Sequence, residues 1–246
     1  MATFGIEGIR YFSSFRRNNE SQPGDLTYVF NICNGLSRKL RGAGHSKKFY
    51  LANQDCGEQD LSEPAGASPS DRDVFADSVD LYWIYTHGTN ARGYPALFFN
   101  STRNDWSTTG DFWSLGNQRL CWLFIYGCQT VDRSSTSSLV SVFQGLHALC
   151  GAWGNMYDGW TVDDVGDDVG DHLIQGHTIR EAWLDGVSDW WVDNHPIIVC
   201  AETSATQSGG VIDWSATTMF NERLPAPQTG SGPIGATWLS VWWAEG

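Results

Sequence analysis

The chain has 246 residues, with 15 basic against 28 acidic side chains and a formal charge of −13, a balance that argues against nucleic-acid and anionic-membrane surfaces as partners. Hydrophobic residues make up 41% and charged ones only 17%, which excludes a disordered acidic tail and leaves ample material for a large core. No run approaches the about 18 apolar residues of a membrane span, while 13 tryptophans supply flat, rigid apolar area suited to core, pocket or interface.

In chain order, apolar runs of strand length alternate with segments of helical period, the pattern of an α/β protein with a parallel sheet. Residues 4–12 read as a first strand. Asp25 precedes a helix over 26–40, with Leu26, Val29, Phe30, Cys33 and Leu40 near helical spacing and Gly42-Ala43-Gly44 as its stop. Residues 48–52 open a short strand, and 53–70, rich in Gly, Pro, Ser and acids, read as loop. The runs 79–86 and 120–126 are apolar on both faces, as central parallel strands between covering layers are. Between them, 96–99 reads as a small hairpin strand and 104–117 as connection. A helix opens at 134–138 and carries Leu139, Val142, Phe143 and Leu146; 147–154 is a third strand-like run. An acidic stretch, 158–171, follows with Asp158, Asp163, Asp164, Asp167, Asp168 and Asp171 and no Lys or Arg. A helix over 178–191, a buried strand over 196–201 and a last aromatic strand over 237–243 complete a single domain spanning 1–246, irregular from about residue 203. No internal repeat is visible.

The cysteines Cys33, Cys56, Cys121, Cys128, Cys150 and Cys200 show neither CxxC nor zinc-type spacing, so no metal centre is expected. Three sit in apolar strand-like runs, as buried free thiols of a reducing compartment do, which suggests a cytoplasmic protein; three disulfides are the alternative. The stretch from Met1 to Glu7 lacks a basic region followed by an apolar run, so no signal peptide is expected. A chain from which a leader had been cut reads the same way.

The informative feature is His87-Gly88 at the end of one apolar strand and Gly127-Cys128 at the end of the next. Functional groups in an open parallel sheet gather at the carboxyl ends of the strands, which puts His87 and Cys128 on one rim. A cysteine attacks as thiolate, and a neighbouring imidazole takes its proton or steadies the anion. Small neighbours let substrate backbone approach, and the amides of Gly88 and Cys128 are candidate oxyanion donors. Taken one at a time, a cysteine or histidine at a strand end is more often packing; the pair with its glycines is the stronger signal.

The blocks from Leu81 to Gly88 and from Leu120 to Cys128 resemble those of caspase-like cysteine peptidases, the group of caspases, legumains, clostripain and gingipains. The chain also looks like a poorly characterised bacterial caspase-like family, through Cys128-Gln129, Gly145-Leu146-His147, the opening from Phe4 to Glu7 and the helix start from Gly176 to Trp183. The resemblance spans roughly residues 4–190. It implies a three-layer sandwich with a mainly parallel central sheet covered by helices, and amide hydrolysis through an acyl-enzyme on a Cys128–His87 dyad without cofactor. No arginine motif of a caspase substrate pocket is recognisable. A peptide ligase or cyclase using the same dyad, and a catalytically inactive binding module, are the other readings. In the catalytic readings the partner is a peptide or protein substrate, and the oligomeric state is open.

Other candidates carry bland alternatives. The run Asp163-Asp164-Val165-Gly166-Asp167-Asp168-Val169-Gly170-Asp171 offers hard oxygen ligands for calcium but lacks EF-hand spacing; a solvated acidic loop opening a helix is the plainer reading. Near a cleft, Asp163 and Asp164 would favour a Lys or Arg side chain of the substrate. Trp153 is a candidate pocket wall, with core packing as its alternative. His147 reads as structural, and His172 with His177 as a poor metal pair. Glu58 and Asp60 read as solvated unless they support the site from outside the sheet. His45 with Lys47 and Lys48 is too small a basic spot for nucleic acid.

Overall fold

The computed structural model describes residues 1–13, 23–61, 76–100, 107–134, 136–188, 191–202, 206–208, 211–213, 222–224 and 238–245. In chain order the elements are β1 (Thr3–Gly8), α1 (Val29–Gly42), β2 (Ser46–Ala52), β3 (Leu81–Tyr85), β4 (Gly88–Ala91), β5 (Tyr94–Phe98), β6 (Ser107–Thr109), β7 (Trp122–Tyr126), β8 (Ala148–Ala152), α2 (Val165–Ile174), α3 (Ile179–Val187), β9 (Pro196–Glu202), β10 (Thr206–Ser208), β11 (Val211–Asp213) and β12 (Trp238–Trp243).

Seven strands form the central sheet in the order β12-β9-β8-β7-β3-β1-β2. The five from β2 to β8 run parallel, as the apolar runs predict. The buried strand expected at 196–201 is β9, which runs antiparallel to β8, and β12 runs antiparallel to β9, so the sheet is mainly but not wholly parallel. Buried strands read alike in either direction, so hydrophobicity alone does not give orientation. β3, β7, β8 and β9 are buried along their whole length.

The three α-helices line up as one layer on the face that carries Ile6, Trp83 and Phe124. Trp83 stacks on Phe124 with centroids 6.0 Å apart and meets Trp183 of α3 edge-on at 5.8 Å. Such aromatic contacts add roughly 0.5–1.5 kcal/mol each beyond simple burial. Trp183 also ties the layer to the sheet, its Nε1 donating to the carbonyls of Gly151 and Ile197 at 3.0 and 3.1 Å. On the opposite face, the segment holding the 3-10 turns Asn53–Asp55 and Glu58–Asp60 brings Cys56 and Asp60 against Glu7 and Tyr82. Helices, sheet and this irregular cover make the three layers.

Part of the acidic stretch is committed to packing against α1. Much of it is α2, and Gly166 and Gly170 lie four residues apart on its α1-facing side. A Cβ at Gly166 would fall 1.8 Å from the Ile32 carbonyl oxygen, and one at Gly170 2.7 Å from the Lys39 Cβ, so the glycines allow the helices to touch. The carboxylates then reach across: Arg38 bonds Asp167 at 2.6 Å and Lys39 bonds Asp171 at 2.5 Å. These acids are spent on α1, and no group of three or more His, Cys, Asp or Glu side chains suited to a metal occurs among the described residues.

Smaller corrections follow from contacts distant in sequence. β1 stops at Gly8 and α1 starts at Val29, while Asp25 accepts from Phe12 N at 3.1 Å and does not cap the helix. The helix expected from 134 onward is a single 3-10 stretch, Thr136–Ser141. α3 ends at Val187, short of 191, and starts with a capping box in which Thr178 and Glu181 exchange hydrogen bonds. The connection at 104–117 contains β6 and a 3-10 turn at Gly110–Phe112. Asp60, read as solvated, is fully buried, whereas Glu58 is exposed.

Candidate active site

Tyr85 and Tyr126, the last residues of β3 and β7, are register partners in adjacent parallel strands. Two residues further on, His87 and Cys128 therefore leave the same rim side by side. The turns that carry them touch. A Cβ on Gly88 would lie 2.9 Å from the Cys128 carbonyl oxygen and 2.6 Å from the Thr130 methyl, and one on Gly127 would lie 2.7 Å from the Thr86 carbonyl oxygen. Only glycines allow that approach. Directly after the cysteine, Gln129 has φ +51, a left-handed conformation uncommon for a side-chain-bearing residue, and its amide donates to the Gly154 carbonyl at 2.7 Å.

The strand order reverses between β2-β1 and β3-β7, so the crevice beyond the strand ends opens beside β3, where His87 sits. The chain leaving β1 supplies its surroundings. The Phe12 ring lies 4.9 Å from the imidazole, and His87 Nε2 is 2.7 Å from the Gly24 carbonyl oxygen. A carbonyl only accepts, so Nε2 carries the proton, and in the neutral ring Nδ1 keeps the lone pair.

Cys128 is half-buried, while the other five cysteines are unpaired and buried. Burial pushes the thiols of Cys33, Cys56, Cys150 and Cys200 far up, and that of Cys121 up to about 12. The loop after β8 lies over the Cys128 sulfur: Met156 N donates to Sγ at 3.3 Å, and Sγ is 3.5 Å from the Met156 carbonyl. The strand-end tyrosines hold that loop. Tyr126 donates to the Tyr157 carbonyl at 2.9 Å and Tyr85 to Asp158 at 2.8 Å, and Asp158 also takes the amides of Thr27 and Tyr28 ahead of α1. Burial, Tyr126 and the Asp158 carboxylate hold the Tyr85 hydroxyl well above its ordinary pKa. Among the described hydrogen bonds, His87 is engaged by Gly24 and Cys128 by Met156, with none joining the two. The Cys128 amide donates to no described residue, and Gly88 lies against the Cys128 carbonyl.

The remaining predicted residues lie elsewhere or are engaged. Trp153 is half-buried, with the Arg133 guanidinium 3.8 Å over its ring, His195 edge-on at 4.2 Å and its Nε1 donating to the Ala244 carbonyl at 3.3 Å. Asp163 precedes α2, and Asp164 is its N-cap residue, lining a separate cavity. His147 is buried, its Nδ1 2.8 Å from Glu222, which also accepts from Trp122 Nε1 at 2.7 Å. His172 and His177 meet ring to ring at 4.7 Å, and His45 Nδ1 accepts from Ala2 N. Sequence reasoning missed Gly24, Met156, Tyr85 and the role of Asp158. Backbone groups carry no residue signal, and Asp158 stands among five other aspartates.

No described helix is long and apolar enough to cross a membrane. No curated protein matches the chain. Among solved structures the chain is similar to the Drosophila initiator caspase Dronc, with a TM-score of 0.38 and 12% identity over 70% of this chain and 63% of that one, so it spans less than two thirds of the caspase's length. A family model described as "Domain of unknown function (DUF6345)" matches residues 6–244, nearly the whole chain, and the protein therefore belongs to that family.

Proposed function

We propose that the protein is a cysteine peptidase that cleaves a peptide or protein through a Cys128–His87 dyad. The observation that carries the reading is the delivery of the two residues from register-matched ends of adjacent parallel strands, with Gly88 and Gly127 packed against the opposite turn. The partial exposure of Cys128, against five buried cysteines, supports it, as does the resemblance of the His-Gly and Gly-Cys blocks to caspase-like peptidases. In this mechanism Sγ attacks the scissile carbonyl carbon. His87 Nδ1 takes the thiol proton and delivers it to the leaving amine, its ring oriented by the Gly24 carbonyl through Nε2. The amides of Gly88 and Cys128 hold the oxyanion, and water then hydrolyses the thioester. Catalytic hydrogen bonds are often long or unformed without substrate, so the separate partners of His87 and Sγ fit a resting enzyme.

The test is digestion of a diverse peptide library followed by mass spectrometry. Wild-type protein cleaves at a restricted set of sites, Cys128→Ala cleaves none, and His87→Ala is slowed by roughly 100-fold or more. Cleavage that persists in Cys128→Ala contradicts the assignment.

A further inference from the structure

Away from the sulfur, a cavity of about 540 Å³ lies between the start of α2 and the end of α3. It is lined by Trp160 and Trp191, which are 77% and 67% exposed. Asp164, the N-cap residue of α2, and Asp168, one helical turn further on, line the same space. Unlike Asp167 and Asp171, which are neutralised by Arg38 and Lys39, these two make no ion pair among the described residues. Gly186 and Ser188, at the end of α3, complete the lining. The cavity belongs to the carboxyl-end rim, because Trp160 and Thr161 lie on the connection that leaves β8 for α2.

We propose that this cavity binds a lysine or arginine side chain of a peptide segment, with the charged head between Asp164 and Asp168 and the apolar stem against Trp160 and Trp191. Indole faces attract cations, and long basic side chains lay their methylenes along apolar surface. The first turn of α2 carries only about half a positive charge from its dipole, less than two carboxylates contribute. Burial and the neighbouring carboxylates of Asp164 and Asp171 push the Asp168 carboxyl up, with His172 opposing, and a bound cation relieves that repulsion. The net charge of −13 steers basic segments towards the protein as a whole. The site does not require Cys128 to be catalytic, and the two readings fail separately.

Calorimetric titration with a blocked hexapeptide holding one Lys and one Arg among alanines tests this. Saturable binding is expected, unchanged in Cys128→Ala and weakened by added salt. Replacing both basic residues by norleucine is expected to lower affinity at least tenfold, as are Trp160→Ala and the double change Asp164→Asn with Asp168→Asn, with the fold checked by circular dichroism. Equal binding of the norleucine peptide, or unchanged affinity in the folded Trp160→Ala and double-Asn variants, overturns the proposal. Tetramethylammonium and N-acetyl-lysine amide form a second arm: binding as tight as the hexapeptide makes the site one for small cations and overturns the peptide assignment.

Discussion

Asp158 receives the Thr27 and Tyr28 amides ahead of α1 and the Tyr85 hydroxyl at the end of β3, so one carboxylate joins a helix start, a central strand and the loop over Cys128. Asp158→Ala is expected to cost about 1–2 kcal/mol, as loss of a helix cap does, and to reduce peptide cleavage by loosening the Met156 loop; urea denaturation and library turnover measure the two. Glu7 offers a second test. It is fully buried beside Asp60, and burial with that neighbour raises its pKa well above the ordinary value. The folded state keeps the proton to higher pH than the unfolded chain. Its contribution to stability is therefore full below the ordinary carboxylate range and lost as pH rises through the raised value, by up to about 1.4 kcal/mol per pH unit within that window. Glu7→Gln is expected to flatten the pH dependence of the urea midpoint above the ordinary carboxylate range, and an unchanged slope contradicts this. At this scale the sequence was legible where a residue directly follows a strongly patterned strand, as His87 and Cys128 follow β3 and β7. It was silent on Gly24 and Met156, which act through backbone groups brought in from distant segments.

The elements show the same division. β3 and β7 were readable because continuous apolar runs are hard to place anywhere but a sheet interior. α2 was half hidden, since Asp and Gly are poor helix formers and the run reads locally as an acidic loop. Its logic appears only with α1 in place, the glycines giving close approach and the aspartates meeting Arg38 and Lys39. Gly166→Ala drives a methyl into the Ile32 carbonyl and is expected to destabilise by about 1–3 kcal/mol, the range of overpacking, seen as a lowered thermal midpoint. An equally stable variant contradicts the packing. Gly88→Ala presses on the Cys128 carbonyl and the Thr130 methyl, and is expected to reduce cleavage more than stability; a lowered thermal midpoint with intact turnover reverses that assignment.

For the whole molecule, the parallel sheet, the reversal of strand order beside β1 and the gathering of His87 and Cys128 at one rim form a single argument from topology to chemistry. The antiparallel β9 and β12 escaped the sequence because pairing direction depends on where the chain crosses, not on which residues are apolar. The buried state of five cysteines makes the sixth an addressable probe of the central claim. Intact-mass analysis after treatment with a thiol-directed acylating probe is the most direct measurement. One adduct per chain is expected, mapped to Cys128, absent in Cys128→Ala and formed much more slowly in His87→Ala. An adduct that persists on another cysteine in Cys128→Ala, or that forms equally fast without His87, contradicts it.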